Sequence, residues 1–402
     1  MKKGIHVSVG IKGATITGDN NRVLQAAVDY VSGLGGGTVQ ILPGTYQMKD
    51  SLHLRSHVRL IGKPGQTVLQ KADGLTSQLS TDGDYGEEQV SLAAPTGFEV
   101  GDGISVRDDG SGGFHTTTAT IIAQVDQHTF TINQPLQADC MVGRNAIAKT
   151  AFPVISAYHA KQIEIEGITI DGNRSANPPL NGCRGAGIFF YRVHNSSIRH
   201  CVVHHYNGDG YSFQQSNDIV IEDCQSLNNA NLGLHPGSGS QRPILRRNTA
   251  HDNGGDGLFL CWRVRHGIFE NNELRGNGQY GISIGHKDSD NLLRNNLVVT
   301  NASHGVYFRN EPEYTGGHRN RLESNQIFNN GTAGEGNGIT IDGETNDTVI
   351  VGNLIGNKAE YGTTTQQLGV VVGAKTQRTE IDQNQMTDHL KGDLVYYCQP
   401  AK

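Results

Sequence analysis

Gly257-Leu258-Phe259-Leu260, Gly281-Ile282-Ser283-Ile284 and Gly305-Val306-Tyr307-Phe308 repeat one phrase every 24 residues: a glycine, an apolar residue, a variable residue and a second apolar residue. The phrase extends backwards to Gly187-Ile188-Phe189-Phe190, Gly210-Tyr211-Ser212-Phe213 and Gly233-Leu234-His235-Pro236. It extends forwards to Gly338-Ile339-Thr340-Ile341 and Gly369-Val370-Val371-Val372. Successive glycines are 23, 23, 24, 24, 24, 33 and 31 residues apart. A sustained period of this size marks a chain of stacked supersecondary units. Within each phrase the apolar residues alternate, over a run too short for a helix, so each phrase is a short strand. Side chains of a strand alternate between its faces, which places positions one and three after the glycine inside and positions two and four outside. The pattern predicts an all-β, right-handed parallel β-helix, with loops in the last two intervals.

A second pattern keeps step with the first. Asn248, Asn272, Asn296, Asn325, Asn353 and Asn384 each lie three residues after an apolar position, and Asn229, Asn253, Asn277 and Asn301 each lie four residues before a repeat glycine. Amides stacked coil upon coil can satisfy the polar groups of a buried turn. Cys201 and Cys224 share the first of these registers and are expected to be inward packing residues. The other cysteines are at 140, 183, 261 and 398; no CxxC pair or zinc-finger spacing occurs, so no thiolate-held metal is expected.

The 402 residues include 53 glycines, only 18% charged residues and a net charge of −6. Glycine and asparagine in such excess fit many tight turns, and the acidic balance argues against a nucleic-acid partner. No apolar run approaches the ~20 residues that span a bilayer, so no membrane partner is expected. Met1-Lys2-Lys3 is basic, but Gly4 to Gly10 is too short and mixed for a signal-peptide core; an extracellular or periplasmic location is the expectation if a signal was removed. Three regions are expected: 1–79 with a capping helix and first coils, 80–150 as an inserted small β subdomain, and 151–402 as the main β-helix. The helix is expected over 19–34, capped by Asp19 or Asn20, with Leu24, Ala27, Val28 and Val31 as its apolar stripe.

Equivalent outward positions on successive coils lie about 4.8 Å apart, so the flank can be mapped. Position two gives His235, Phe259, Ser283, Tyr307 and Thr340, and position four gives Cys261, Gly285, Arg309 and Asp342. Beyond these lie Trp262, Arg263, His286, Lys287, Asp288, Glu311 and Glu344; before the glycines lie Asp256, Tyr280 and His304. Aromatic faces stack on sugar rings, and a row of polar groups suits an extended polymer.

Two resemblances add to this. Residues 19–46, a helix followed by Gly-Gly-Gly-Thr-Val and Leu-Pro-Gly-Thr-Tyr, resemble the opening of the pectate-lyase superfamily. The region 205–310, including Ala250-His251-Asp252-Asn253-Gly254-Gly255-Asp256-Gly257, resembles alginate C5-epimerases and related parallel β-helix lyases. Those enzymes carry Tyr-Gly-Phe-Asp-Pro-His, whose tyrosine and histidine exchange the C5 proton. The nearest match here is Tyr280-Gly281-Ile282-Ser283-Ile284-Gly285-His286, with one extra residue and serine in place of aspartate; Leu232-Gly233-Leu234-His235-Pro236 is a rival register without the tyrosine.

Proton abstraction beside a uronic carboxylate needs a base, a donor or cation for the developing charge, and an acid. His286 is the expected base, Tyr280 the acid or second base, and Arg309 or Lys287 the charge stabiliser. His235, Asp256, Trp262, Tyr307, Glu311 and Asp342 are the expected substrate-binding residues. A polysaccharide lyase or C5-epimerase acting on a uronate polymer is the first expectation. A glycoside hydrolase or transglycosidase is the alternative, since Glu311 with Asp342, or Asp256 and Asp288, could supply paired carboxyl groups. A tailspike-like glycan-binding protein without catalysis is the third. No cofactor is expected; calcium on flank carboxylates is left open. The partner expected is a polysaccharide or oligosaccharide, with assembly as a homotrimer also left open.

Overall fold

The computed structural model describes residues 4–397, so Met1 to Lys3 and Cys398 lie outside the described residues. The chain divides into two compact units, one of residues 1–190 and 202–212, the other of 191–201 and 213–402.

The first unit opens with the strand Ile5–Gly10, which runs parallel to Gly37–Ile41 with Val7 opposite Val39 and Val9 opposite Ile41. Its buried valines alternate with more exposed residues, the signature of a strand covered on one face. The helix spans Asn21–Gly33, and the Asn20 side chain caps it by accepting from the backbone N–H groups of Arg22 and Val23. Leu24, Ala27, Val28 and Val31 are fully buried, and the helix packs on Ile5–Gly10, Gly37–Ile41 and Leu52–Leu54. Parallel ladders follow: Gly37–Ile41 with Val58–Ile61 and Glu164–Glu166, and Gly44–Met48 with Thr67–Lys71, Thr169–Asp171 and Val202–His204. Between them an antiparallel sheet of six strands runs in the order Thr76–Gln78, Ile147–Lys149, Gly103–Arg107, Thr117–Gln124, Thr129–Ile132, Gln89–Ser91. It surrounds its own core, with Val90, Leu92, Val106, Ile121, Phe130 and Ile132 at its centre.

The second unit is a regular parallel β-helix. Each coil contributes one short strand to each of three sheets. In the first sheet Leu245, Phe269, Leu293, Leu322 and Ile350 stack inward; in the second, Ala250, Leu274, Val298, Ile327 and Ile355 do so. In these two sheets the inward residue is the middle one of each three-residue strand. The third sheet carries the repeated phrase, with Leu258, Ile282, Val306 and Ile339 in register and all buried. The repeat glycine is required by crowding: a Cβ on Gly281 would lie 2.2 Å from Val298 Cγ1 and 2.7 Å from the Gly305 carbonyl oxygen. The second sheet's inward row therefore sits against the start of the third.

Both asparagine patterns are continuous hydrogen-bonded ladders. The Asn272 amide donates to Asn296 Oδ1 (3.0 Å) and to the Leu245 carbonyl (2.9 Å), while its Oδ1 accepts from the Asn248 amide and from the Asn248 backbone N–H, each at 3.0 Å. The same bonds recur through Asn325, Asn353 and Asn384. The other ladder runs Asn229, Asn253, Asn277, Asn301 and then Asn330. At the top of the first ladder sulfur replaces the amide, with the Cys201 N–H 3.5 Å from Cys224 Sγ; both thiols are buried, and the five cysteines at 140, 183, 201, 224 and 261 form no disulfides. The residue before each ladder asparagine turns the corner in the left-handed region, as Arg247 (φ 55°), Asn271 (φ 56°), Asn295 (φ 54°) and Ser324 (φ 53°) do. The amides thus serve the backbone groups that a sharp corner removes from the sheets.

Candidate functional site

The mapped flank is the outer face of the third sheet of the second unit. Pairing puts His235, Phe259, Ser283, Tyr307 and Thr340 at equivalent positions, because Leu234 pairs with Leu258, Phe259 with Ser283, Ser283 with Tyr307 and Tyr307 with Thr340. The side chains gather into two clusters with an arginine beside both.

The first cluster forms where the chain leaves the third sheet. Trp262 (φ 67°), Arg263 (φ 66°), His286 (φ 48°) and Lys287 (φ 67°) occupy left-handed corners of consecutive coils. The Trp262 and His286 rings stack at 4.6 Å with an interplanar angle of 3°. Trp262 is 46% exposed, leaving much of the indole open. His286 Nε2 lies 2.8 Å from Glu311 Oε1, and Thr315 donates its hydroxyl to Glu311 Oε2 at 2.9 Å. His286 Nδ1 is buried without a hydrogen-bond partner. Burial lowers the His286 pKa and the Arg309 cation lowers it further, against the opposing pull of Glu311. Among the described residues neither Arg263 nor Lys287 forms an ion pair, so two cations border the Trp262–His286 stack.

The second cluster is phenolic. Tyr280 stacks on Tyr307 (4.6 Å, 27°) and on His304 (5.6 Å, 17°). Burial raises the Tyr280 pKa, and burial together with the adjacent, hydrogen-bonded Asp342 pushes Tyr307 up to about 12. Both phenols therefore stay protonated at neutral pH. His304 is held below the ordinary imidazole value by burial, and its Nδ1 accepts from the Asn337 N–H at 3.0 Å. A shallow hollow beside Tyr280 is lined by Gln279, Ser303, Ala333 and Glu335.

Arg309 is fixed rather than free. It donates to Ser283 Oγ (2.7 Å), to the Leu260 carbonyl (2.7 Å) and to Asp288 Oδ2 (3.1 Å), and its guanidinium lies 4.6 Å over the Phe259 ring. Gly285 makes room for it: a Cβ there would stand 2.7 Å from Arg309 Nε. Its charge acts on both His286 and Tyr280. Asp288, with no exposed side chain, accepts from the backbone N–H groups of Val264 (2.9 Å) and Gly285 (3.2 Å). Burial nonetheless pushes its pKa up from 3.8 to about 7, outweighing the lowering by Arg309 and these hydrogen bonds. The folded protein therefore keeps a proton that the unfolded chain releases, so this group's contribution to stability is complete below pH 3.8 and is lost as pH rises to about 7. We expect Asp288→Asn to remove a decline of up to ~1.4 kcal/mol per pH unit across that window, measured by denaturant unfolding at several pH values.

Four mapped residues take other positions. His235 is only 4% exposed, covered by the Phe259 ring (5.3 Å, 73°) and facing Gln214 Nε2 at 3.4 Å. Asp256 is buried and accepts from the Tyr280 backbone N–H at 3.0 Å, which anchors that tyrosine. Glu311 and Asp342 belong to different clusters, one beside His286 and the other beside Tyr307. His304 and Ser283 join the site without a role expected from the sequence, and Asp288, expected only as a carboxyl group for hydrolysis, joins it as the partner of Arg309; all three stand on the mapped flank, so register alone could have nominated them. Among the described residues no three side-chain carboxylates converge on this flank.

The register, the three sheets and the buried ladders define a right-handed parallel β-helix. A family model described as the right handed beta helix region matches residues 100–260, 137–298, 237–355 and 261–398, and the chain belongs to that family. Among curated proteins it is 22% identical over 303 residues to mannuronan C5-epimerase AlgE3 of Azotobacter vinelandii, covering 72% of this chain and 11% of the epimerase. It thus spans about a tenth of that relative's length. Among solved structures it resembles the A-module of mannuronan C-5 epimerase AlgE4 from Azotobacter vinelandii, with a TM-score of 0.62 and 17% identity, covering 97% of this chain and 98% of the module. It also resembles the Dettilon tailspike protein, with a TM-score of 0.54 and 13% identity over 91% of this chain and 58% of the tailspike. These likenesses extend the fold across nearly the whole chain.

Proposed function

We propose that this protein is a polysaccharide-active enzyme that removes the C5 proton of a uronate residue, as a lyase or C5-epimerase does. The observation that carries the reading is the placement of a neutral histidine and a protonated tyrosine on one coil, with the partly buried Arg309 acting on both. Trp262 offers its open face to a sugar ring, and Arg263 and Lys287 meet the carboxylates of an anionic polymer. His286, while neutral, donates Nε2–H to Glu311; once the sugar displaces Glu311, exchange with water moves the ring proton to Nδ1 and His286 accepts the C5 proton at Nε2. Its lowered pKa keeps it neutral and able to accept. Arg309, pre-positioned by Ser283, the Leu260 carbonyl and Asp288, stabilises the enolate-like charge through the local field. Tyr280 delivers a proton. Delivery to C5 from the opposite face gives the epimer; delivery to the departing glycosidic oxygen gives chain cleavage and an unsaturated sugar. The likeness to mannuronan C5-epimerases supports the substrate class. The separate engagement of Glu311 and Asp342 favours this chemistry over hydrolysis by a carboxyl pair.

The test is incubation with alginate, polygalacturonate and neutral glycans in D2O. Deuterium at C5 without new ultraviolet absorbance is the result expected of an epimerase; new absorbance from a 4,5-unsaturated sugar, whose C5 carries no hydrogen, is the result expected of a lyase. New reducing ends without deuterium or absorbance would establish a hydrolase. Saturable binding with no turnover would establish a tailspike-like binder.

A further inference from the structure

The first unit brings two imidazoles and a carboxylate together on the outer side of the sheet that holds Gly44–Met48, Thr67–Lys71, Thr169–Asp171 and Val202–His204. Strands Thr169–Asp171 and Val202–His204 pair in register, with Asp171 opposite His204, and His205 (φ 52°) turns the following corner. One ligating atom from each of Asp171, His204 and His205 lies within 4.8 Å of the others. The two Nδ1 atoms are 2.8 Å apart, the rings meet edge-on at 87°, and Asp171 Oδ1 is 3.9 Å from His204 Nδ1.

The carboxylate is held from behind. Its Oδ1 accepts from the Asn173 N–H at 3.0 Å, its Oδ2 from the Gln70 amide at 3.1 Å, and Gln70 is in turn fixed by the Gln47 amide at 2.7 Å. Such outer partners orient metal ligands. Two Nδ1 atoms facing each other can share only one proton, so protonating both rings is disfavoured.

We propose that Asp171, His204 and His205 form a binding site for a divalent transition-metal ion of the zinc class. Tetrahedral bonds of about 2.0–2.1 Å separate neighbouring donors by about 3.3 Å, and the distances of 2.8 and 3.9 Å bracket that value. Two imidazoles with one carboxylate suit zinc, nickel or copper, whereas calcium and magnesium take oxygen sets. Three protein ligands leave a coordination position for water or an exogenous donor, on the side of exposed His205. The metal would also tie two consecutive coils of the unit together. The site is independent of the uronate reading.

Titration of the purified full chain with Zn2+ by calorimetry, and with Co2+ by visible absorption, tests it. One saturable equivalent is expected, with Ca2+ unable to compete. His204→Ala and the surface change His205→Gln should each weaken Zn2+ binding at least tenfold and alter the Co2+ bands. Gln70→Ala, which frees the carboxylate, should weaken it by about tenfold. Absence of saturable Zn2+ binding would overturn the proposal. So would unchanged affinity in folded His205→Gln, because the ion would then be held elsewhere.

Discussion

His286→Ala is expected to lower turnover of a uronate polymer by about 10²–10⁴-fold, the usual contribution of a positioned general base. The loss should fall on kcat, because the sugar platform and flanking cations are untouched. Trp262→Ala is the complement: it removes the stacking face and should act mainly on KM, as loss of uniform binding does. Glu311→Gln should be milder than His286→Ala, since glutamine can still hold the ring through Oε1 or Nε2. Rates of deuterium incorporation from D2O for epimerisation, or of ultraviolet absorbance for elimination, give each comparison directly. A His286→Ala variant within tenfold of the parent would remove His286 as the base and move attention to Tyr280 and His304.

Asn272→Ala should destabilise the second unit by about 3–5 kcal/mol. The asparagine is 1% exposed and sits mid-ladder. Its removal strands the Asn248 backbone N–H, its Asn248 amide contact and the Leu245 carbonyl, and takes a donor from Asn296 Oδ1. Each buried group left without a partner costs about 1–3 kcal/mol, and neighbouring losses do not add in full. Asn384→Ala, at the half-exposed last rung, should cost about 1 kcal/mol. Guanidinium unfolding of the two variants decides the matter. Equal costs would mean that the ladder distributes no load and that each rung acts only locally.

The coils were readable because the same local rule acts on every one of them: a crowded strand start that excludes Cβ, one or two inward side chains, and an amide at each corner. Gly281, Ile282 and Asn272 each follow from contacts repeated 24 residues away, so a period in the text becomes a stack in space. The strand Ile5–Gly10 was harder, because its partner Gly37–Ile41 lies across a helix and no repeat announces it. Alternation also gives direction without giving exposure. His235 and Asp256 stand at outward positions, yet Phe259 covers the one and the Tyr280 N–H engages the other. Glu311 belongs to the loop 310–317, whose path no period governs; only the folded loop aims its carboxylate at His286. Asp288 was visible as a flank residue, but its burial beneath Arg309 depends on that arginine folding back over Gly285.

The asparagine rungs have an engineering consequence. Partner spacing along one ladder is 24 residues from Asn272 to Asn296, 29 to Asn325, 28 to Asn353 and 31 to Asn384, with the same amide bonds throughout. Each corner is clamped whatever length of chain leaves the coil between clamps. Lengthening a loop costs little, about 0.6 kcal/mol per doubling. The scaffold therefore behaves as a rack of interchangeable cassettes. Segments 310–317 and 331–336 can be swapped or randomised to retune which polymer the flank accepts, while the core beneath them keeps its register.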